Sequence, residues 1–487
     1  MYHLSDIKKM ERCPRFFWLS RKERKDFVPF INYNENMSDL VREFLMIQDA
    51  FVGKVGDEGS LALDAFHEKK TLVNARFVYR DLRVKVPVLV QEAGVVTMYM
   101  TYRSCFPKEK EAQYIADTLS VLEKLDVHVD QVLAIHLNAN YVREEDLDVK
   151  ELLVVNQRLF NNKNKAHTSI YELVDECKRD IDEVIDALIA CESMDEIAYE
   201  RTPNCTRGLK CSFYEDCFYE DVEDTSILHL VQSAHKFTMK EEGIDDLKDV
   251  DVERIEGTRH QYAQIMAAKL GGEYVDRKAL QCWIKDHITY PISYLDFEWE
   301  TYAFPPYTGM KPYDVLTFQY SLHVEHAQEE ELRHHGFIGE GDCREAFIKD
   351  LLANVPKSGS ILVFNMEGAE KLRLVQLAQQ FPQYEEELKQ VWLRMVDLSL
   401  PFSTGNVYDL RMQGGYSLKT LVSIYSDYTY QDLAISYGMD AVDKWRQYHE
   451  ANPEEKKEIY EQLTQYCSMD TYAEYIVYHA LKELASK

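Results

Sequence analysis

The chain has 487 residues, 46% of them hydrophobic and 29% charged, which excludes a fibrous or low-complexity protein and sets an expectation of two or three globular domains. With 84 acidic and 56 basic side chains the formal net charge is −28, so nucleic acid is repelled at long range and could be bound only by a local basic groove or through cations. No run of residues approaches the roughly 18 apolar positions of a membrane span, so no membrane partner is expected.

The opening Met-Tyr-His-Leu-Ser-Asp-Ile-Lys-Lys lacks the apolar core of an export signal, so a cytoplasmic location is expected. In that reducing setting the ten cysteines point to metal or cluster ligation rather than disulfides. Between Lys8 and Lys25, the basic residues Lys8, Lys9, Arg12, Arg15, Arg21, Lys22, Arg24 and Lys25 surround Phe16, Phe17 and Trp18. That segment is a candidate nucleic-acid groove or, equally, a solvated amphipathic helix. The first ninety residues are mostly helical in pattern, with Phe44, Leu45, Ile47 and Phe51 at helical spacing. Alternation of Val84, Val86, Val88 and Val90, then of Val96, Met98 and Met100, predicts two strands. A helix is expected from about 109 to 125, a strand from Val132, and one long amphipathic helix over 168–195. A cysteine-bearing loop spans 203–218, and the polar, helix-like stretch 226–288 reads as a connector.

From Ile292 onward, strands and helices alternate and predict a mixed α/β sheet, closed by a long helix from Pro453 to Leu484. Asp296 and Glu298 lie two apart in Tyr294-Leu-Asp-Phe-Glu, a spacing that puts both carboxylates on one strand face while Leu295 and Phe297 face the core. Two such carboxylates are stable together when a cation lies between them. The strand-like Ile361-Leu-Val-Phe leads into Asn365-Met-Glu-Gly-Ala-Glu370, and Tyr466 and Asp470 share a helix face at i, i+4 spacing.

In that order, a strand Asp-x-Glu, a mid-chain acid after a strand and a late Tyr-x-x-x-Asp resemble the DEDD exonucleases of the RNase H-like fold. The resemblance implies that Asp296, Glu298, Glu370 and Asp470 hold two Mg²⁺ or Mn²⁺ ions and that Tyr466 orients the attacking water. Its middle motif carries an aspartate where this chain has Ala369, so Glu370 takes the role here, with Glu367 as rival. Asp397 reads as a structural strand acid, and Lys419 as a solvated lysine able to reach a phosphate. Over residues 290–482, Pro305-Pro-Tyr, Pro312-Tyr, Phe318-Gln-Tyr-Ser-Leu-His and Gly415-Tyr-Ser-Leu-Lys resemble a bacterial family of unassigned function, with an RNase H-like domain behind an iron–sulfur, nuclease-like half.

Cys13 stands early, and Cys205, Cys211 and Cys217 cluster late. One early and three late cysteines resemble the [4Fe–4S] staple of the CRISPR-adaptation nucleases and of the AddB-type helicase–nucleases; the wider late spacing here keeps zinc as an alternative. Leu4-Ser-Asp-Ile before Cys13-Pro, Val55-Gly, and Leu137-Asn-Ala-Asn-Tyr-Val-Arg add to that resemblance, which implies a PD-(D/E)XK fold for this half. Its metal-ligand positions carry Pro87, Thr101 and Arg103, so the resemblance implies a degenerate nuclease.

The expected organisation is an α/β protein with a degenerate PD-(D/E)XK-like domain over 1–225, a helical connector over 226–288 and an RNase H-like domain over 289–487. The expected function is a 3′–5′ exonuclease on single-stranded DNA or RNA in repair, CRISPR adaptation or antiphage defence, with a possible protein partner in such a complex. The alternative is a catalytically inactive nucleic-acid-binding or assembly subunit.

Overall fold

The computed structural model describes residues 1–23, 25, 28–198, 202–206, 210–217, 222–327, 331–430, 433–435 and 437–487. Arg24 of the basic segment and Phe218 at the end of the cysteine loop lie outside them. The chain is mixed α/β and divides into two compact units, neither of them continuous in sequence. One comprises residues 1–27, 31–218 and 302–314; the other comprises 28–30, 219–301 and 315–487.

The first unit is built on a mixed sheet in the order Phe51–Val52, Leu72–Tyr79, Leu82–Glu92, Val95–Tyr102, Gln131–Leu137 and Leu153–Asn156. The helix Ala112–Lys124 links the parallel neighbours Val95–Tyr102 and Gln131–Leu137, as a crossover must. Apolar residues fill both sheet faces. Phe77, Val84 and Met98 belong to one core; Val73, Val88 and Ile135 belong to the other, together with Ala303 and Phe304. Leu82–Glu92 is a strand, as the alternation of Val84 to Val90 predicts, whereas the strand Leu72–Tyr79 departs from the helical pattern expected over the first ninety residues.

The helix expected over 168–195 is two, Ile170–Glu176 and Ile181–Glu192. Between them Arg179 turns inward to make paired hydrogen bonds with the buried carboxylate of Asp117, and Asp180 caps the second helix by accepting from the Asp182 backbone amide. An inward ion pair and a new N-cap at adjacent positions end one helix and start another, whatever the apolar periodicity.

The second unit carries a mixed sheet of its own. Its strands are β1 (Ile292–Tyr302), β2 (Val315–Glu325), β3 (Arg333–Ile338), β4 (Ser360–Val363) and β5 (Met395–Asp397), in the order β3-β2-β1-β4-β5. The pairs β1–β2 and β2–β3 are antiparallel, while β4 runs parallel to β1 and β5 parallel to β4. At the start of β4, Gly359 has a φ of +87°, and a Cβ there would meet the Pro291 carbonyl oxygen at 1.9 Å; only glycine lets β4 dock beside β1 in this register.

One sheet face is apolar. Leu295, Phe297, Tyr320, Leu322, Ile361 and Val363 pack with Phe347, Ile348 and Leu351 of α1 (Arg344–Asn354) and with Leu374 and Leu377 of α2 (Glu370–Gln380). The other face is polar at its centre and covered by α5 (Pro453–Ser486). There Gln319 donates to the Leu463 carbonyl at 2.7 Å, and Ser321 and His323 bond the Thr471 hydroxyl at 2.7 and 2.8 Å. Buried polar side chains on a central strand need such partners, and these set where α5 lies. The helix starts with Asn452 as a two-amide cap and Pro453 in its first turn. Two shorter helices, α3 (Leu418–Tyr425) and α4 (Gly438–Glu450), pack against it. Trp445 of α4 stacks on Phe318 of β2 at 4.4 Å, and Arg446 forms a two-point ion pair with the fully buried Glu300.

Candidate metal centre

Three carboxylates converge where α5 crosses β1. Asp296, Glu298 and Asp470 each offer an oxygen within 4.8 Å of the other two, the one such group of metal-ligating side chains among the described residues. The period of the strand puts Asp296 and Glu298 on the face under α5, while Leu295 and Phe297 enter the core on the other. A bulge between Glu298 and Trp299 shifts the register directly after the second acid, and pairing with β2 resumes through Thr301. The helical repeat lines up Tyr466, Asp470 and Glu474 on one stripe of α5.

Burial raises the carboxyl pKa values of Asp296 and Glu298 well above their ordinary range, and the neighbouring acids raise them further. Burial pushes Asp470 up to about 6, against the pull of hydrogen bonds from Tyr430 and Tyr466 and the charge of Lys419. Such a group is costly as bare anions and becomes favourable when a cation takes the ligand oxygens.

Glu370, the first residue of α2, is buried beside the trio without joining it, and burial and Asp296 raise its pKa. Its rival Glu367 is exposed and ion-paired with Lys371. Asp397 reaches its position through structure rather than ligation. Its carboxylate accepts from the backbone amides of Asn365, Met366 and Ser399, and so fixes the turn that leads to Glu370.

Several participants have no separate signal in the sequence. Tyr430 donates to Asp470 at 2.7 Å, and Glu474 lies buried beneath the trio, raised by burial and by Asp296, Glu370 and Asp470. One carboxylate oxygen each of Glu370 and Glu474 is buried without a hydrogen-bond partner among the described residues. Glu474 repeats the i, i+4 step from Asp470, the one clue that spacing offers. Lys419 of α3 is half-buried rather than solvated. Its ammonium lies 3.5 Å from the Tyr466 hydroxyl and over the rings of Tyr430, Tyr437 and Tyr466 at 4.7–5.2 Å. The Cys467 thiol is buried 3.5 Å from Asp296.

The four cysteines of the expected staple belong to the first unit. Cys13, Cys205, Cys211 and Cys217 line one cavity of about 20 Å³. Cys13 is the junction between the helices Leu4–Arg12 and Pro14–Lys22, and the Cys211 amide donates to the Cys205 carbonyl. No three of the four thiols stand within 4.8 Å of one another. Tetrahedral zinc, with Zn–S bonds near 2.3 Å, needs sulfurs about 3.8 Å apart, whereas a cubane cluster spreads its ligands more widely. Burial raises the Cys211 and Cys217 thiols, and Arg15 draws Cys217 back.

The basic segment ties the unit together. Arg12 donates to the Asn204 and Cys205 carbonyls, Arg15 to the Ile197 carbonyl, and Arg21 and Lys25 pair with Glu192 and Asp216. Lys8 and Lys9 pair with Glu111 and Asp6, and Lys22 lies over the Trp18 ring. Pro87 lies on the strand Leu82–Glu92, Thr101 on Val95–Tyr102, and Arg103 just beyond it, against the Tyr33 ring.

Residues 293–417 match a domain of unknown function, DUF2779. That span includes Asp296, Glu298 and Glu370 and stops short of Lys419, Tyr466 and Asp470. No curated protein and no solved structure matches the chain. No described helix is long and apolar enough to cross a membrane.

Proposed function

We propose that the chain is a metal-dependent exonuclease that removes nucleotides from the 3′ end of single-stranded DNA or RNA. The observation that carries this reading is the convergence of Asp296, Glu298 and Asp470 within 4.8 Å from two distant segments. The buried, unpartnered carboxylate oxygens of Glu370 and Glu474 beside them add to it. An all-oxygen donor set suits Mg²⁺ or Mn²⁺. The mixed sheet with flanking helices, and the order of the acids along the chain, support the RNase H-like, DEDD-type relationship.

A divalent ion at the trio supplies Lewis acidity to an attacking water and to the developing charge on phosphate. In the reaction, the water oxygen bonds to phosphorus and the bond from phosphorus to the departing 3′ oxygen breaks. One water proton ends on that oxygen, and the other leaves to solvent with the product phosphate. Tyr430 and Tyr466 both hydrogen-bond Asp470 and fix its carboxylate, and the Tyr466 hydroxyl would orient the water. In the other unit, Cys13, Cys205, Cys211 and Cys217 are the residues that would hold a structural [4Fe–4S] cluster, with zinc as the alternative.

The alternative, an inactive binding or assembly subunit, draws on one observation, that Glu370 stands outside the trio. Anaerobically purified protein is assayed on 5′-labelled single-stranded DNA and RNA with Mg²⁺, Mn²⁺ or EDTA, beside Asp296→Asn and Asp470→Asn. A ladder shortening from the 3′ end, dependent on metal and lost in both variants, is the expected result. Binding without cleavage under every condition establishes the subunit reading instead.

A further inference from the structure

The helix α4 begins beside the proposed metal centre, and its first residue is a glycine. A Cβ built on Gly438 would stand 3.7 Å from Oε2 of Glu298, 4.0 Å from its Oε1 and 4.0 Å from the Tyr466 hydroxyl. Those are ordinary contact distances, and the φ of Gly438 is not in the left-handed region, so neither crowding nor backbone strain demands glycine here. Alanine is also the better helix former. What glycine does leave is a methyl-sized space against a ligand oxygen.

That space adjoins unused donors. The first amides of a helix have no partner within it. In α4 the amides of Asp440 and Ala441 turn back to the Tyr437 carbonyl, at 2.9 and 3.2 Å. Those of Gly438 and Met439 make no hydrogen bond among the described residues, and the N-cap, Tyr437, supplies no side-chain cap. Glu298 is a second and independent sign. It is only 8% exposed, its carboxylate accepts no hydrogen bond among the described residues, and its oxygens are the nearest atoms to the missing Cβ. The free amides favour an anion and the stranded carboxylate needs a cation. A phosphate oxygen joined to Glu298 through a divalent ion satisfies both.

We infer that the start of α4 is the seat of the scissile phosphate: the Gly438 and Met439 amides donate to its non-bridging oxygens, which occupy the space a side chain at 438 would fill. The inference rests on the metal-dependent exonuclease reading of the same centre and deepens it, by assigning the groups that hold the phosphate over the ion.

The probe is the product of 3′ cleavage, a nucleoside 5′-monophosphate. Adenosine 5′-monophosphate and adenosine are titrated calorimetrically into the full chain with Mn²⁺, for the unmutated protein, Gly438→Ala, Tyr437→Asp and Tyr437→Ala. Mn²⁺ binding without nucleotide, cleavage of 5′-labelled single strands and thermal melts are measured beside them. The unmutated protein should prefer the monophosphate to adenosine. In Gly438→Ala the monophosphate should bind about tenfold more weakly and cleavage should fall about a hundredfold. Its Mn²⁺ affinity should hold, and its melting temperature should hold or rise. A merely structural role for Gly438 would lower stability, Mn²⁺ affinity and cleavage together. Equal monophosphate binding and equal cleavage in Gly438→Ala overturn the inference and leave the exonuclease reading standing. An unmutated protein that binds no Mn²⁺ and cleaves no strand overturns both. Should Gly438→Ala fail to fold, the exposed N-cap decides. Tyr437→Asp places a carboxylate on the Met439 amide and should weaken the monophosphate further than Tyr437→Ala does; equal affinities in those two variants overturn the inference.

Discussion

At the scale of single residues, the buried acidic trio is a source of instability that a bound cation would relieve. Burial raises the folded-state pKa values of all three acids of the trio, and the neighbouring acids raise those of Asp296 and Glu298 further, so the folded protein holds protons there that the unfolded chain has released. Stability from this cluster is therefore fully present below the unfolded carboxyl pKa of about 4 and falls as pH rises through Asp470's value near 6 and beyond. Thermal melts of metal-free protein should shift downward between pH 5 and pH 8, and Mn²⁺ should reverse the shift while releasing protons to the buffer. Asp296→Asn removes one charge from the repulsion at nearly constant shape. At pH 8 without metal it should raise the melting temperature by about 2–4 °C per kcal/mol of relief, read by calorimetry. A lower melting temperature for that variant would mean that Asp296 is held by partners rather than strained by them.

At the scale of elements, the site depends on how α4 and α5 are anchored over the sheet. Trp445→Ala removes the ring stacked on Phe318 and should cost about 3–5 kcal/mol in urea unfolding, with Mn²⁺ affinity falling alongside if α4 helps to close the centre. Arg446→Met strips the guanidinium from the buried Glu300 and should cost a similar amount, about 3–5 kcal/mol. Adding Glu300→Gln should recover part of that loss, since the penalty lies in the stranded charge. The same elements mark what could be read from the sequence. Asp296 and Glu298 announce themselves because a strand repeats every two residues, and Tyr466 and Asp470 because a helix returns near every fourth. Those are local periods. Tyr430 and Lys419 join the centre through loops and helix packing that no local period encodes, and Gln319 grips α5 from a strand whose pattern reads simply as buried. The break in the helix expected over 168–195 was hidden for the same reason: Arg179 and Asp180 look like ordinary surface charges until the partner of Arg179, Asp117, is known.

At the scale of the whole molecule, the cavity lined by Cys13, Cys205, Cys211 and Cys217 joins positions almost two hundred residues apart within one unit. If these thiols hold an iron–sulfur cluster, Cys13→Ser and Cys211→Ser should each bleach the visible absorbance of anaerobically purified protein and lower its iron content. The fall in melting temperature should be confined to the first unit. That unit, moreover, is completed from further along the chain. Residues 302–314 return to it, and Ala303 and Phe304 are wholly buried in a core shared with Ile135, Leu137 and Tyr141. A fragment expressed as 1–225 would lack that insert and expose the groove it fills. Conversely, a chain cut at an engineered protease site near residue 225 keeps the insert on its C-terminal piece, seated in the N-terminal one. The two pieces should co-elute from a sizing column and part only in denaturant, as a lock and a key cast from one length of polypeptide.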